Sequence, residues 1–221
     1  MFRPKSSDYH PSLAILSLWL LFMMPGAMAA DDDVAPLKSF FAGLKDLGGA
    51  FVQRSEDDTP IGSGLHKGHF LLQRPGRFRW SYELPERQTI IADGNRLMIY
   101  DQDLEQLTVK TLDTSMKNSP AGLLVTHEPV DKLFDIKHLP ADGDTDWFEL
   151  TPKTDTNGFR YTRIGLSNGQ LRAMVIEDDF GQRTRFSFSE ITRHPAIRAD
   201  AFTIHPPPGT DIMDETLLPG S

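Results

Sequence analysis

The sequence predicts a mainly β protein, built on one long antiparallel sheet of about ten strands that curls on itself, with a few short helices. Three observations support this fold class. Short segments of alternating polar and apolar residues recur along the chain after residue 48. Close turns rich in Asp, Asn and Gly separate them. Helical spacing is confined to short stretches, which are too few to form a second layer, and a sheet of this size must curl or close.

Three stretches of the chain predict helices. The first covers residues 37–47, where apolar side chains recur at the spacing of one helical face, at Leu37, Phe40, Phe41, Leu44 and Leu47. Ser119 followed by Pro120 is typical of a helix start, so residues 121–125 are expected to form one or two turns. Residues 130–134 predict another short helix. These helices are expected to cover one open side of the sheet.

The strands follow from short strand-forming segments between turn signals, of which 77–83 alternates strictly. The predicted strands are 49–55, 68–73, 77–83, 87–92, 96–101, 104–110, 146–151, 158–166, 171–178, 182–190 and 201–205. Within 77–83, Phe78, Trp80 and Tyr82 face one side of the sheet. Arg77 and Arg79 face the other side, which we interpret as the solvent side.

The first thirty residues have the organisation of a cleaved secretory signal peptide. Arg3 and Lys5 precede an apolar stretch at 13–24, and small residues at 27–30 supply a cleavage site. Twelve apolar residues span about 18 Å of helix, too short for a bilayer core of roughly 30 Å. We therefore expect a periplasmic protein with one domain over residues 31–221.

Composition and motifs exclude several classes of function. The net charge is -8, and removing the signal peptide takes away two basic residues and one acid to leave -9, a poor balance for binding phosphate backbones. No nucleophile elbow, P-loop or zinc-protease motif occurs. The calcium-like spacing of 142–147 fails because Trp147 and Lys153 replace the Gly and Glu that such a loop needs. We expect no enzymatic activity, no metal and no cofactor, and interpret 211–215 as a solvated tail.

Four sequence blocks carry a resemblance to a known family. They are GHFLLQRPGRFRW at 68–80, IIADGNRLMIYDQDLEQLTV at 90–109, SPAGLL at 119–124 and FTIHPPPGTDI at 202–212. Together, in this order and behind a signal peptide, they resemble the LolA family of periplasmic carriers of outer-membrane lipoproteins. The resemblance runs from Leu37 to about Ile212. It implies an incomplete antiparallel β-barrel (a half-barrel) with a lid of short α-helices.

The resemblance also implies site residues. Arg74 matches the arginine that closes the lid of the empty carrier through hydrogen bonds to lid carbonyls. The matching apolar positions are Phe41, Phe78, Trp80 and Leu124. With other large apolar residues of the predicted strands and of the short helix they form the expected acyl-chain cavity, and these are Phe51, Phe70, Leu72, Ile90, Leu97, Ile99 and Leu123.

The resemblance further implies partners. These are acylated lipoproteins as cargo, an inner-membrane ATP-driven transporter that loads the carrier, and an outer-membrane receptor of similar fold that unloads it. A monomer is expected. That receptor is itself a lipoprotein and needs an N-terminal cysteine, whereas this chain has no cysteine. The remaining alternative is a periplasmic lipid-binding or lipoprotein-sensing half-barrel domain.

Overall fold

A computed structural model describes residues 33–56, 64–112, 120–154 and 158–217. The predicted signal peptide and its cleavage site lie outside the described residues. None of the helices in the described part of the chain has the length and apolar character needed to cross a membrane.

The described chain forms three short α-helices and twelve strands. In chain order they are α1 (Ala35–Ala42), β1 (Asp46–Ser55), β2 (His66–Gln73), β3 (Arg77–Leu84), β4 (Gln88–Asp93), β5 (Arg96–Asp101), β6 (Gln106–Thr111), α2 (Pro120–Val125), α3 (Val130–Leu133), β7 (Phe134–Asp142), β8 (Thr145–Pro152), β9 (Phe159–Ser167), β10 (Gln170–Asp178), β11 (Arg183–Arg193) and β12 (Asp211–Asp214). A single 3-10 turn, Glu215–Leu217, follows.

All twelve strands belong to one sheet, in the order β12-β6-β5-β4-β3-β2-β1-β11-β10-β9-β8-β7. Every pairing is antiparallel except that of β12, which runs parallel to β6. The order is linear, so β12 and β7 are the two edges of an unclosed sheet. The prediction of a mainly β, open, curled sheet with few helices is confirmed, with twelve strands instead of about ten.

The sheet curves around an apolar interior. Trp80 on β3 and Phe186 on β11 are separated by β2 and β1, a distance of about 14 Å in a flat sheet. Their ring centroids are nevertheless 5.6 Å apart. Because the side chains converge on one side, that side is the concave face, and the helices pack against it.

Helix α1 is shorter than predicted. It ends at Ala42, and Gly43 donates its N–H back to Ser39 O. The residues that follow enter the sheet, where Leu47 pairs with Leu72. Leu44 and Leu47 are buried as the helical pattern suggested, but they reach the interior from a turn and a strand. Sheet pairing decides the conformation here because it supplies hydrogen bonds that a longer helix would forgo.

The outer face of the sheet differs from the prediction. Residues 201–205 form no strand; this part of the chain crosses the outer face, and Phe202 packs with Ile91 and Met98 in a second, smaller apolar cluster. Arg79 is therefore half-buried and donates a hydrogen bond to Ala201 O at 3.3 Å, so the solvent-facing interpretation of this arginine is wrong. Arg77 is exposed and stacks on the Phe202 ring at 5.4 Å.

Both edge strands were missed from the sequence. Strand β7 carries Pro140 and many exposed residues, features that count against a strand but are typical of an edge. Strand β12 has four residues and takes its register from β6. The interpretation of 211–215 as a solvated tail is wrong, since Asp211 to Asp214 form β12 and Glu215 pairs with Lys110 at 3.2 Å.

Candidate functional site

The concave face of the sheet is lined by aromatic rings. Trp80 lies at the centre of the group and contacts Phe51, Phe70, Phe186 and Phe188, with ring centroids 4.5 to 6.2 Å apart. Strand alternation places these rings on one face, because the paired residues of neighbouring strands point the same way. These rings belong to the larger of the two apolar clusters of the described residues.

The structure places all the predicted cavity residues in this one interior cluster. Phe41, Phe51, Phe70, Leu72, Phe78, Leu97, Leu123 and Leu124 are buried in it, and Trp80, Ile90 and Ile99 pack against it. The helices contribute Phe41 from α1 and Leu123 and Leu124 from α2. Together they form a cover over the aromatic rings of the sheet.

Arg74 joins the cover to the sheet. It follows directly after β2, and its guanidinium reaches into the cover. Its Nη1 donates to Phe41 O at 2.9 Å on α1, and its Nε and Nη2 donate to Leu124 O at 3.0 Å and Leu123 O at 3.2 Å on α2. One side chain therefore holds two helices and one sheet turn together. The Gly76 N–H adds a backbone bond to Val125 O at 3.0 Å.

The chemistry of these contacts favours a charged donor. The acceptors lie in the last turns of α1 and α2, where carbonyls lack intrahelical partners and the helix dipole is negative. Burial lowers the pKa of Arg74 to about 10, so the guanidinium still carries its proton at neutral pH. A half-buried cation without acceptors would be costly. Movement of either helix away from the sheet would therefore remove acceptors from the Arg74 guanidinium.

Cavities surround this cover, but little space remains inside it. One cavity of about 400 Å³ lies beside α2, with Phe78 and Val125 in its wall. Another of about 250 Å³ lies beside Arg74, between α1 and α3. Beneath α2, Phe78 and Val125 also border an apolar cavity of only about 20 Å³. Ligand sites typically occupy 300 to 1,000 Å³, so the space beneath α2 is too small for an acyl chain while the helix is in place.

The far end of the interior is polar. Tyr82 donates its hydroxyl to Gln53 Oε1 at 2.7 Å, and both border a cavity of about 300 Å³ together with His66 and Asp101. Burial raises the pKa of Tyr82 to about 12, partly opposed by the nearby indole N–H of Trp80. That N–H is buried, and none of the described residues accepts a hydrogen bond from it.

Sequence reasoning missed some contributors to the site. The role of α1 as an acceptor for Arg74 had no local signal, because a backbone carbonyl is available at every residue. Gln53 could have been found, since it stands two residues after Phe51 on the same strand and must share its face. Arg193 stacks on Phe40 at 5.4 Å and fastens α1 from the opposite side, a contact between distant parts of the chain.

The acidic and histidine side chains outside this interior were also compared with metal-site geometry. They contain no group of three or more His, Cys, Asp or Glu side chains placed to hold a metal ion. The calcium-like segment forms the turn between β7 and β8, and Asp144 there accepts a hydrogen bond from Ser167. His66 and His69 each face a glutamate, Glu86 at 3.6 Å and Glu83 at 2.9 Å.

Comparison with known proteins identifies the family. The family described as outer membrane lipoprotein carrier protein LolA matches residues 42–205. The chain belongs to the LolA family. A curated LolA relative named outer-membrane lipoprotein carrier protein, from Cupriavidus pinatubonensis, is 38% identical over 195 residues, covering 87% of this chain and 91% of the relative. Another of that name, from Nitrosomonas europaea, is 40% identical over 147 residues, covering 66% and 71%.

Solved structures are similar in fold. An uncharacterized conserved protein from Thermus thermophilus superposes with a TM-score of 0.52 at 9% identity, over 84% of this chain and 98% of that protein. A LolA superfamily protein from Nitrosomonas europaea superposes with a TM-score of 0.46 at 12% identity, over 79% and 97%. Such low identities bear on the fold alone, and the function follows from the LolA family and from the site.

Proposed function

We propose that this protein is a periplasmic carrier that encloses the acyl chains of outer-membrane lipoproteins between helices α1–α3 and the concave face of the sheet. The observation that carries the proposal is the Arg74 contact to both helices, because it closes an aromatic-lined interior with bonds that can be broken and remade. In this proposal the protein acts by transfer of its cargo and not as an enzyme.

The energetics of transfer suit such a device. Burying one CH₂ is worth about 0.8 kcal/mol, so a chain of about 16 carbons costs on the order of 12 kcal/mol to leave in water. A loaded carrier recovers that burial but loses the closed packing of Phe41, Leu123 and Leu124 and the three bonds of Arg74. The net affinity is the difference between these terms. A moderate net affinity lets the cargo pass onward to an acceptor.

The same balance requires work at the loading step. An inner-membrane ATP-driven transporter is the partner that would open the cover and insert the chains, since the sequence itself contains no ATP-binding motif. An outer-membrane receptor of similar fold would take the chains up. These two partners rest on membership of the LolA family and not on a contact in the structure.

Release of lipoproteins from spheroplasts tests the proposal. The purified protein is incubated with spheroplasts, and soluble one-to-one complexes with acylated lipoproteins are identified by mass spectrometry. Phe78→Glu should abolish their release, because a carboxylate replaces a wall of the interior. The variant can stay folded, since Phe78 also borders the 400 Å³ cavity where the carboxylate can meet water. Circular dichroism checks the fold.

The matched control is Phe180→Glu, the same exchange at a side chain that is 90% exposed in the β10–β11 turn. This variant should release lipoproteins normally. Normal release by folded Phe78→Glu would remove the aromatic interior from the route. A wild-type protein that releases no lipoprotein, and instead carries free fatty acid or phospholipid, would overturn the carrier proposal in favour of a general lipid-binding half-barrel.

A further inference from the structure

The inward-facing residues change from apolar to polar towards the end of the sheet that lies away from Arg74. Two residues further along each strand, away from Arg74, the inward position changes from Phe51 to Gln53 on β1, from Trp80 to Tyr82 on β3, from Ile90 to Gln88 on β4 and from Ile99 to Asp101 on β5. His66 supplies the corresponding position on β2, opposite Gln53. The change comes one inward position later on β1 and β2 than on β3–β5, because Tyr82 is in register with Gly68 and Phe51, and Gln53 pairs with His66 beyond that row.

These residues form a continuous polar end to the apolar interior. The polar end, Gln53, His66, Tyr82, Gln88 and Asp101, lines the cavity of about 300 Å³ described above, together with Glu86. All five residues are partly exposed, so water reaches this level of the sheet.

The Tyr82–Gln53 bond fixes the boundary across β2. Gly68 stands between the two strands, and because it has no side chain, the Phe51 and Tyr82 rings meet at 5.1 Å above it. The Tyr82 hydroxyl then reaches Gln53 Oε1 at 2.7 Å. An acyl chain that extended past this point would have to separate the pair and desolvate both polar groups.

We infer that the polar end sets the length of acyl chain that the carrier accommodates, with Tyr82 and Gln53 as the residues that determine the limit. The inference rests on the proposed function. From Phe78 at the Arg74 end to Tyr82, strand β3 rises about 13 Å, which is the depth of apolar wall available along this strand. Methylene groups within that depth gain burial. Methylene groups beyond it meet water and polar side chains and gain none.

Chain-length dependence of binding tests this inference. Unbranched saturated fatty acids from octanoic to eicosanoic acid compete with a fluorescent fatty acid for the purified full-length protein. In the wild type, Kd should fall about fourfold per added CH₂ and then level off at one chain length. In the double variant Gln53→Met, Tyr82→Phe the fall should continue for at least two more carbons, because the boundary level has become apolar.

The controls separate this inference from the proposal beneath it. Thr89→Val changes a buried polar residue on the outer face, between Gln88 and Ile90, and should leave the break point unchanged. Tyr82→Phe alone removes one hydroxyl and should shift the break in the same direction with little effect on folding. A break that stays in place in both Tyr82 variants, or Kd that never levels off in the wild type, overturns the inference and leaves the carrier function standing. No binding at any chain length overturns both.

Discussion

Replacing Arg74 with leucine should destabilise the closed position of helices α1 and α2 over the sheet. Three hydrogen bonds from a charged donor are lost, and such bonds contribute roughly 1.5–3 kcal/mol each when they are fully formed and buried. Arg74 is half-buried and a single side chain makes all three hydrogen bonds, so we assign each bond about 1 kcal/mol. The closed state then loses about 3 kcal/mol, and the opening equilibrium rises by roughly 150-fold.

The Gly76 amide is a built-in reporter of this opening. It donates to Val125 O on α2 at 3.0 Å, so it is freed for hydrogen exchange when α2 leaves the sheet. We expect its exchange rate, measured by NMR, to rise by about two orders of magnitude in Arg74→Leu. The Arg74 amide itself bonds to Lys45 O, which extends the β1–β2 pairing by one residue, and should exchange at its wild-type rate.

Arg79→Leu is the matched control for Arg74→Leu. Arg79→Leu makes the same exchange on the outer face, where its only described acceptor on another element is Ala201 O. It should leave Gly76 exchange unchanged. If Gly76 exchanges at the same rate in Arg74→Leu as in the wild type, within about twofold, then Arg74 does not hold α2, and the proposed closing mechanism is wrong.

Three further predictions concern stability. Gly68→Ala should lower the free energy of unfolding by about 3 kcal/mol, because the added Cβ would collide with the backbone oxygen of Ser81. At Gly48 a Cβ meets only ordinary contacts, so Gly48→Ala should change the free energy of unfolding by less than about 1 kcal/mol. Urea unfolding of the two variants compares these values. The raised pKa of Tyr82 favours the neutral phenol in the folded state, so the contribution of Tyr82 to stability should fall as pH rises from about 10 to 12. Over this range the free energy of unfolding of the wild type should fall by up to about 3 kcal/mol relative to that of Tyr82→Phe. Lys38→Ala removes a partly exposed ion pair and should cost no more than about 1 kcal/mol in the same assay.

The sequence predicted the parts of the fold that have strong local signals. Strand 77–83 alternates strictly, and strands 87–92 and 96–101 flank the turn signal at 93–95, so their positions follow from short-range chemistry. Helix α1 was overextended because Leu44 and Leu47 fit a helical face as well as they fit a turn and a strand. The two conformations are distinguished only by pairing with β2, which is distant in sequence and meets this segment only when the sheet forms.

The sequence predicted which apolar residues line the candidate site, but not which carbonyls accept hydrogen bonds from Arg74. Apolar inward positions follow from parity along each strand, which is why the expected cavity residues share one cluster. The acceptors of Arg74 are carbonyls on α1 and α2, and no pattern of side chains encodes which carbonyls a guanidinium will reach. The outer-face path of residues 197–204 was equally hidden, since its apolar side chains read as a strand.

The linear strand order has a mechanical consequence. In a closed barrel, the number and stagger of the strands fix the circumference, so the lumen can grow only if hydrogen bonds between strands break. Here β12 and β7 are free edges among the described strands, and the sheet can uncurl by small changes of twist while every ladder stays intact. Because the space beneath α2 is only about 20 Å³, room for a guest would come from movement of the helices and from uncurling of the sheet, which breaks no strand pairing.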